Sequence, residues 1–526
     1  MRGFWSLVLH SHLPYVHHPK YEYFLEEHWL FEAITETYMP MLMMLKELER
    51  ENVYARITTS VTPPLAEMLD NENLNRKYLN YLDKLIELAG KEIKRTGNDP
   101  NFSPLARMYS ERFQKLKSFL QNDLHGKVLN GYREFQDKGV LCIITCGATH
   151  GFFPFMTENA VKVQIEIACR IHQKHFNRRP EGIWLPECAY YAGVDRLLSD
   201  AGIKFFFVDS HGILYADPRP RYGTYAPVFT SYGVAAFGRD YYSSKQVWSS
   251  KEGYPGDICY RDFYRDIGYD LDMDYIAPYI SPDGERVFTG IKYHRITGES
   301  DYKEAYDPAA ASARTRDHAA HFVYERERQI EDVIPHMDRA PLIASPYDAE
   351  LFGHWWFEGQ EFIGNIFREL QQRGHNVLPI TPLEYLKRYP TNQTVQVNPS
   401  SWGDKGYYSV WLNAGNDWIY KHLRFMADNM EKLARKYKDT GKGDIVRGLN
   451  QMARELLLAQ SSDWAFLITT GTAINFSFQR TKEHISNFMK IYEMVEDHRF
   501  DWEFFTAAEG KNDYYPEMDF RVFIGS

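Results

Sequence analysis

The sequence predicts an α/β fold: a seven-stranded (β/α) barrel with a helical insertion and an α-helical C-terminal domain. Three observations lead to this prediction. Seven short apolar runs recur along the first 350 residues, helical patterns separate several of them, and strand patterns largely disappear after about residue 404. Alternating strands and helices indicate βαβ units, and seven such strands indicate a (β/α) barrel.

Each apolar run ends abruptly in polar residues, and continuous apolar strands of this kind are typical of parallel strands buried on both faces. The polar residues would then collect at the carboxyl ends of the strands, where barrel enzymes place their chemistry. The predicted strands are Phe4–Leu9, Tyr54–Thr59, Val140–Thr145, Gly182–Leu185, Phe205–Val208, Gly233–Phe237 and Pro341–Ala344. The predicted intervening helices are Trp29–Arg50, Val161–Lys174 and Val194–Asp200.

Two stretches fall outside the barrel. Residues 64–138 are charged and helical in pattern, and we interpret them as an insertion after the second strand. The barrel then comprises residues 1–63 and 139–403. Amphipathic segments with helical periodicity predict an α-helical C-terminal domain over residues 404–526.

The composition argues against several classes of function. The 526 residues carry a formal charge of −10, from 61 Lys+Arg and 71 Asp+Glu. Without a basic run, this charge gives no support for a nucleic-acid or anionic-membrane partner. No apolar stretch approaches the roughly 18 residues that a membrane-spanning helix needs. Five scattered cysteines and an N terminus without a signal-peptide pattern predict a cytoplasmic protein with reduced thiols, of unknown oligomeric state.

The first candidate site is the segment His10-Ser11-His12, at the end of the first predicted strand. Alternation along a strand points both imidazole rings to the same side, so both can reach one site. A single histidine is more often structural, but a pair at a barrel mouth favours a functional site. Neutral imidazoles can ligate a metal or hydrogen-bond to hydroxyl groups, and the motif leaves both open.

Two carboxylate motifs follow other predicted strands. Glu187 lies in WLPECAY, beside Trp184 and Tyr190, and Asp348 lies in SPYDAELFGHWW, two residues before Glu350. Taken alone, the first could be a surface glutamate opening a helix and the second an N-cap. Together they indicate two carboxyl groups across a barrel mouth. A retaining glycosidase needs such a pair, as nucleophile and as acid/base, roughly 5–5.5 Å apart.

A metal-dependent hydrolase is the alternative, since a His-x-His motif after the first strand also builds metal sites in barrels. Three features disfavour it: the chain has no H-E-x-x-H motif, no aspartate follows His-x-His at the spacing of the zinc mannosidases, and no lysine stands at position 187. We therefore expect neither a metal nor a cofactor.

Five motifs, in order along nearly the whole chain, resemble those of glycoside hydrolase family 57. They are HSHLPY from His10, CGATHGFFP from Cys146, WLPECAY from Trp184, SPYDAELFGHWW from Ser345 and SSDWAFLITTG from Ser461. Within the family, the chain is most similar to the AmyC-type α-amylases and the 1,4-α-glucan branching enzymes. The resemblance implies a metal-free enzyme acting on α-glucans (amylose, starch or glycogen) from a seven-stranded (β/α) barrel.

The resemblance also implies catalytic roles. Glu187 matches the family's nucleophile and Asp348 its acid/base, while His10, His12 and His150 match the histidines that line the substrate site. The nucleophile must be ionised and the acid/base must keep a proton near neutral pH. We therefore expect their environments to separate the two pKa values.

Four further residues match substrate-binding positions of the family. Asp463 and Trp464 match the contribution of the C-terminal domain to the cleft. Trp402 and Trp411 resemble glucan-stacking tryptophans, with plain core packing as the alternative. A glucan-binding protein with a degenerate site is a further possibility, but the presence of both carboxylates argues against it.

One departure from the family pattern bears on the reaction. Branching members carry a loop after the sixth strand, with a tyrosine that reaches over the site. Here the region Gly238–Trp248 is short, and Tyr241 and Tyr242 are its only tyrosines. A short lid should admit water to the glycosyl-enzyme, which favours hydrolysis over transfer to a sugar. The sequence therefore predicts α-amylase-type hydrolysis of α-1,4-glucans, with branching as the alternative.

Overall fold

The computed structural model describes residues 2–248, 252–298, 300, 302–374 and 376–525. Each predicted apolar run overlaps one strand, and two short strands are added to the seven. The strands are β1 (Gly3–Ser11), β2 (Ile57–Val61), β3 (Leu141–Ile144), β4 (Gly182–Ile183), β5 (Phe205–Val208), β6 (Val228–Phe229), β7 (Ala235–Gly238), β8 (Leu342–Asp348) and β9 (Val377–Pro379).

The strands form two sheets that together make the barrel. One has the order β3-β2-β1-β8, with β9 beside β1, and the other has the order β4-β5-β7-β6. All pairs are parallel except β6 with β7. At one seam Thr145 bridges to Ile183. At the other, the Asp240 amide donates a hydrogen bond of 2.8 Å to the Ala344 carbonyl. The α/β fold class, with its parallel strands, is confirmed.

Helices connect the strands and extend beyond them. In place of the predicted helix over residues 29–50, two helices, Glu27–Ala33 and Met39–Arg50, are joined by a π-helical turn, Ile34–Tyr38. The helices are α1 (Glu27–Ala33), α2 (Met39–Arg50), α3 (Pro63–Asp70), α4 (Glu72–Arg95), α5 (Phe102–Ser118), α6 (Val128–Asp137), α7 (Glu158–Phe176), α8 (Val194–Asp200), α9 (Ser210–Leu214), α10 (Tyr241–Trp248), α11 (Ile267–Asp270), α12 (Met273–Ile276), α13 (Pro308–Val333), α14 (Gly359–Gln372), α15 (Pro382–Arg388), α16 (Trp418–Lys436), α17 (Gly443–Ala459), α18 (Ser462–Thr470), α19 (Ile474–Glu496) and α20 (Trp502–Lys511).

A feature not predicted from the sequence is the segment that follows α10, whose described residues between 252 and 306 form short helices, turns and isolated bridges. It packs on the predicted insertion, which carries α4 to α6. The Tyr293 hydroxyl donates 2.8 Å to Oε2 of Glu92, and the Tyr109 hydroxyl donates 2.7 Å to the Lys292 carbonyl. These buried hydrogen bonds fix the segment between the insertion and the barrel mouth.

The C-terminal helices α16 to α20 lie against the same mouth. Gly151 forms an isolated bridge with Ser461, and the Ser462 amide donates 3.0 Å to the His150 carbonyl. The start of α18 is thereby fixed beside the loop that follows β3. Among the described residues, no helix is long and apolar enough to cross a membrane. The domain boundaries at residues 63, 138 and 403 remain predictions.

Candidate active site

Glu187 lies at the centre of the candidate site, just after β4. Its backbone is left-handed, with φ at 60°, a conformation that costs a non-glycine residue of order 1–3 kcal/mol and is often found at active sites. The Ser462 hydroxyl donates 2.7 Å to its Oε1, and the Trp402 indole nitrogen donates 2.8 Å to its Oε2. Burial raises the pKa of Glu187 to about 7, although both hydrogen bonds favour the ionised form.

His10 and His150 face each other through their Nε2 atoms, 3.0 Å apart. Burial lowers the pKa of both rings well below its usual value, and the neighbouring histidines add to the effect. Two neutral rings can form this hydrogen bond only if one donates and the other accepts. His10 Nδ1 lies 2.6 Å from the Ser60 hydroxyl, and His150 Nδ1 lies 2.8 Å from the Ser462 hydroxyl.

These contacts define one consistent direction of hydrogen bonding. Because Ser462 donates to Glu187, it accepts from Nδ1 of His150, whose Nε2 then accepts from His10. Nδ1 of His10 is left to accept from Ser60. In the hydrogen-bonded series Ser60–His10–His150–Ser462–Glu187, each shared proton therefore belongs to one defined donor. The series stabilises the ionised carboxylate of Glu187 at its end.

His12 and Asp463 form an ion pair that joins the barrel to the helical domain. His12 Nε2 lies 3.0 Å from Asp463 Oδ2, and both groups are largely buried. Burial opposes the charged form of His12, but Asp463, Glu187 and Glu350 together raise its pKa. Burial alone would likewise raise the pKa of Asp463, yet His12, His150 and a hydrogen bond from Ser461 lower it to about 2. Each member of the pair therefore favours the charged form of the other.

Asp348 ends β8, where it is the register partner of His10 on β1. Burial raises the pKa of Asp348 well above its usual value, and the nearby carboxylates of Glu350 and Glu187 raise it further. Glu350, which sequence reasoning noted but did not assign, accepts hydrogen bonds from the His12 amide (3.1 Å) and the Tyr38 hydroxyl (2.5 Å). Burial and these neighbouring carboxyl groups therefore favour the protonated form of Asp348.

A cleft of about 700 Å³ opens beside Asp348. Its wall includes aromatic rings that sequence reasoning missed: exposed Trp248 at the end of α10, and half-buried Phe263 and exposed Tyr264 in the irregular segment. Trp355, from the SPYDAELFGHWW motif, stacks on Phe263 with ring centroids 4.5 Å apart. The one available signal was the adjacent aromatic pair at positions 263 and 264, but no periodicity placed it near the site.

The three tryptophans that were predicted to contact substrate have different environments: one borders the site and two are buried in the core. Trp402 borders the site and holds Glu187. Trp411 is only 1% exposed and stacks on Phe152 with centroids 4.9 Å apart, so the stacking role implied by the resemblance is not available to it. Trp464 is also 1% exposed, and its indole nitrogen donates to the Leu458 carbonyl. These two rings pack in the core, where they support the site without lining it.

Tyr241 and Tyr242, the candidates for a lid tyrosine, begin α10. Their side chains are 60% and 61% exposed. Among the described residues that line the cleft beside Asp348, neither tyrosine is present, whereas Trp248 at the other end of α10 is. The aromatic residue that this helix brings to the cleft is therefore a tryptophan, next to Val247.

Within the described part of the chain, two groups of side chains could hold a metal ion: His10, Cys146 and His150, and His12, His150 and Asp463, each with ligand atoms within 4.8 Å of one another. The ring nitrogens of these histidines already have hydrogen-bond partners: Ser60, Thr62, Ser462, Asp463 and one another. The same groups can exchange these partners for sugar hydroxyls or for a metal, so the donor set fits both kinds of chemistry.

The barrel and its paired buried carboxyl groups define an enzyme of the glycoside hydrolase and transglycosylase class. Sequence comparison agrees. The profile of glycosyl hydrolase family 57 matches residues 6–322. The profile of the C-terminal domain of 1,4-alpha-glucan branching enzyme matches residues 422–523. The chain belongs to glycosyl hydrolase family 57, which confirms the resemblance seen in its motifs.

Similar proteins include both amylases and branching enzymes. The α-amylase AmyC from Thermotoga maritima has a TM-score of 0.93 at 45% identity, over 100% of both chains. A branching enzyme of the same family from Pyrococcus horikoshii has a TM-score of 0.90 at 31% identity, over 100% of this chain and 97% of that chain. The 1,4-alpha-glucan branching enzyme TK1436 of Thermococcus kodakarensis is 33% identical over 527 residues, covering 93% of this chain and 73% of that protein.

Proposed function

We propose that the protein is a retaining enzyme of α-1,4-glucans, with Glu187 as the nucleophile and Asp348 as the acid/base. The observation that supports this assignment most strongly is the difference between the two carboxyl groups. Hydrogen bonds from Ser462 and Trp402 favour the ionised form of Glu187. Burial and the neighbouring carboxylates favour the protonated form of Asp348. Retaining catalysis needs this division.

In the first step an oxygen of Glu187 bonds to the anomeric carbon while the glycosidic C–O bond breaks. The proton of Asp348 goes to the leaving oxygen, which departs as a sugar hydroxyl. In the second step Asp348, now ionised, takes a proton from water or from another sugar hydroxyl, whose oxygen displaces Glu187 from the anomeric carbon. Two displacements at the same carbon preserve its configuration.

The groups around Glu187 would bind the sugar that becomes attached to it. We assign His10, His12, His150 and Asp463 to hydrogen bonds with the hydroxyl groups of that sugar, and Trp402 to its apolar face. The ionised Asp463 accepts from a hydroxyl, and charged His12 donates to one. Hydrogen bonds to sugar hydroxyls that strengthen in the oxocarbenium-like transition state contribute several kcal/mol to catalysis.

Hydrolysis and branching share this chemistry and differ in the second step. Hydrolysis is the main proposal, because neither tyrosine of α10 lines the cleft and water can then reach the glycosyl-enzyme. The branching alternative has equal support from the relatives, since both named activities occur among the similar proteins.

The test is incubation with linear amylose in the presence of a chelator, with reducing ends and the α-1,6 anomeric proton signal followed together. Rising reducing ends without an α-1,6 signal would support hydrolysis, and an α-1,6 signal with few new ends would support branching. Activity that is lost in chelator and restored by zinc would contradict both and support the metal hydrolase. Glu187→Ala serves as the inactive control.

We also propose that the protein works in the cytoplasm. All five cysteines are free, as expected for a reducing compartment. Cell fractionation with an antibody to the native protein tests this assignment, and recovery outside the cytoplasmic fraction would contradict it.

A further inference from the structure

We propose that the stacked rings of Phe263 and Trp355, in the cleft beside Asp348, form a platform for the acceptor sugar. This inference rests on the proposed function. The acceptor is the non-reducing part of an α-glucan chain whose hydroxyl attacks the glycosyl-enzyme, or the chain that has just departed. The platform would therefore set how much product arises by transfer and how much by hydrolysis.

The first supporting observation is the position of the cleft relative to the carboxyl groups of Glu187 and Asp348. In a retaining mechanism the acid/base contacts the oxygen between the attached sugar and its leaving group. Histidines, Ser462 and Trp402 surround Glu187. The sugar that becomes attached to Glu187 therefore binds among these residues, on one side of the scissile bond. Asp348 also borders the cleft with Phe263 and Trp355, so the sugar beyond the scissile oxygen faces these rings.

The second step concerns what the wall can bind. Trp355 is 54% exposed although its ring lies nearly parallel to Phe263, at an interplanar angle of 21°. An exposed indole that is already supported on one face offers its other face to a ligand. A sugar ring presents a flat apolar face and a rim of hydroxyls, which matches an indole with polar neighbours. Arg265 and Asp262 also line the cleft and supply such polar groups.

The third step is that the fold holds this platform rigidly. Glu36, on the π-helical turn, pairs through Oε1 with Arg261 (3.0 Å) and through Oε2 with His354 (2.8 Å). Arg261 lies two residues before Phe263, and His354 lies one residue before Trp355. One buried carboxylate therefore fixes both halves of the platform. π-Helical turns are frequent at functional sites, which agrees with this role.

Contacts of Lys292 and Gly353 also support the platform. The Lys292 ammonium lies 4.3 Å from the centre of the Phe263 ring and donates a hydrogen bond to the Phe263 carbonyl. Gly353 has φ at +108°, and a Cβ there would meet the Glu36 carbonyl oxygen at 1.9 Å. The turn before Trp355 thus packs directly on the π-helical turn, and the platform is formed before any ligand arrives.

The bonds exchanged in the transfer step are those of the second displacement. The hydroxyl oxygen of the seated acceptor bonds to the anomeric carbon, the ester bond to Glu187 breaks, and the hydroxyl proton goes to the carboxylate of Asp348. Water gives free reducing sugar by the same exchange. Because the two nucleophiles compete for one intermediate, residence of the acceptor on the platform raises the share of transfer product.

The experiment uses α-maltotriosyl fluoride as donor and maltotriose as acceptor. Fluoride release reports formation of the glycosyl-enzyme. Transfer product and free maltotriose derived from the donor report its two fates. We expect Trp355→Ala to lower transfer product per fluoride released by about tenfold, the loss of roughly one good aromatic contact. Trp355→Phe should restore part of the ratio, because it returns a flat ring, whereas Trp355→Leu should not.

Trp502→Ala is the matched control, since Trp502, on α20, is 46% exposed, stacks on Phe500 at 5.0 Å and 19°, and is not among the described residues that line the cleft. Its transfer ratio should equal that of the wild type. A wild-type ratio in both Trp355→Ala and Trp355→Leu, in an enzyme that releases fluoride, would overturn the platform and leave the proposed function intact. A wild-type enzyme that releases no fluoride would contradict the proposed function itself.

Discussion

Trp402 donates a hydrogen bond of 2.8 Å from its indole nitrogen to Oε2 of Glu187. The two residues are 215 positions apart in the chain and meet because the Trp402 amide also donates to the Glu187 carbonyl, at 2.9 Å. The side chain that would stack on the substrate is thus the one that stabilises the charge of the proposed nucleophile. The proposed substrate contact and the charge of Glu187 would therefore be coupled through one ring.

Trp402→Phe should move the acid limb of the pH profile of kcat/KM to higher pH. Turnover requires ionised Glu187, whose pKa of about 7 is held down by this hydrogen bond. A hydrogen bond to a charged group contributes about 1.5–3 kcal/mol, so its loss raises the pKa by about one unit or more. The shift is to higher pH because a Glu187 carboxyl group with a higher pKa is ionised in a smaller fraction of the enzyme at low pH. Ser462→Ala should shift the limb in the same direction.

The control for this experiment is Trp411→Phe, which changes a tryptophan without touching Glu187. Its acid limb should coincide with that of the wild type. An unshifted limb in Trp402→Phe and Ser462→Ala would show that Glu187 does not govern this limb.

Glu187→Ala and Asp348→Ala should separate the two catalytic roles. Loss of the nucleophile should lower kcat on amylose by about 10⁴-fold or more, and loss of the acid/base by about 10²–10⁴-fold. Fluoride departs without a proton, so Asp348→Ala should still release fluoride from α-maltotriosyl fluoride in a first turnover. Glu187→Ala should not. Rapid-quench measurement of fluoride distinguishes the two variants, and equal losses in both would contradict the assignment.

Asp463→Asn should destabilise the contact between the barrel and the helical domain. Removing one member of a buried ion pair costs about 3 kcal/mol, because the other charge is left unpaired. The pKa of Asp463 is lowered to about 2, so its contribution is fully present above pH 5 and is lost as the pH falls through 2. The pKa of His12 is raised, so its contribution is present below pH 6.5 and is lost as the pH rises through its folded value.

The difference in free energy of unfolding between wild type and Asp463→Asn should therefore be largest near pH 5–6 and shrink above the folded pKa of His12. Urea denaturation at several pH values measures it. A difference that grows with pH would mean that His12 is not the charged partner.

Trp411→Ala should act on stability, because its ring is buried against Phe152. Truncation of a buried tryptophan costs about 3–5 kcal/mol through lost burial and the cavity that remains. The remaining folded enzyme should keep the wild-type KM for amylose. A raised KM with unchanged stability would restore the glucan-stacking role that the resemblance implied.

Much of the site could be predicted from the sequence because its parts follow strands. The apolar runs before Glu187 and Asp348 placed both carboxyl groups at one end of a barrel, and the motifs identified the family. Burial of Trp411 and Trp464 could not be predicted, since a tryptophan that stacks on sugar and one that packs in the core look alike in a sequence. Phe263 lies in a segment without periodicity, and the ion pair of Arg261 with the distant Glu36 and the hydrogen bond from Lys292 to the Phe263 carbonyl position it at the cleft.

The most direct test of the account is to trap the glycosyl-enzyme. The wild type is incubated with 5-fluoro-α-D-glucosyl fluoride, whose electronegative substituent slows breakdown of the intermediate, and the intact mass and the labelled peptide are measured. The account predicts one added fluoroglucosyl group on Glu187, and no addition in Glu187→Gln. A label on another residue, or turnover of the donor without any covalent species, would contradict it.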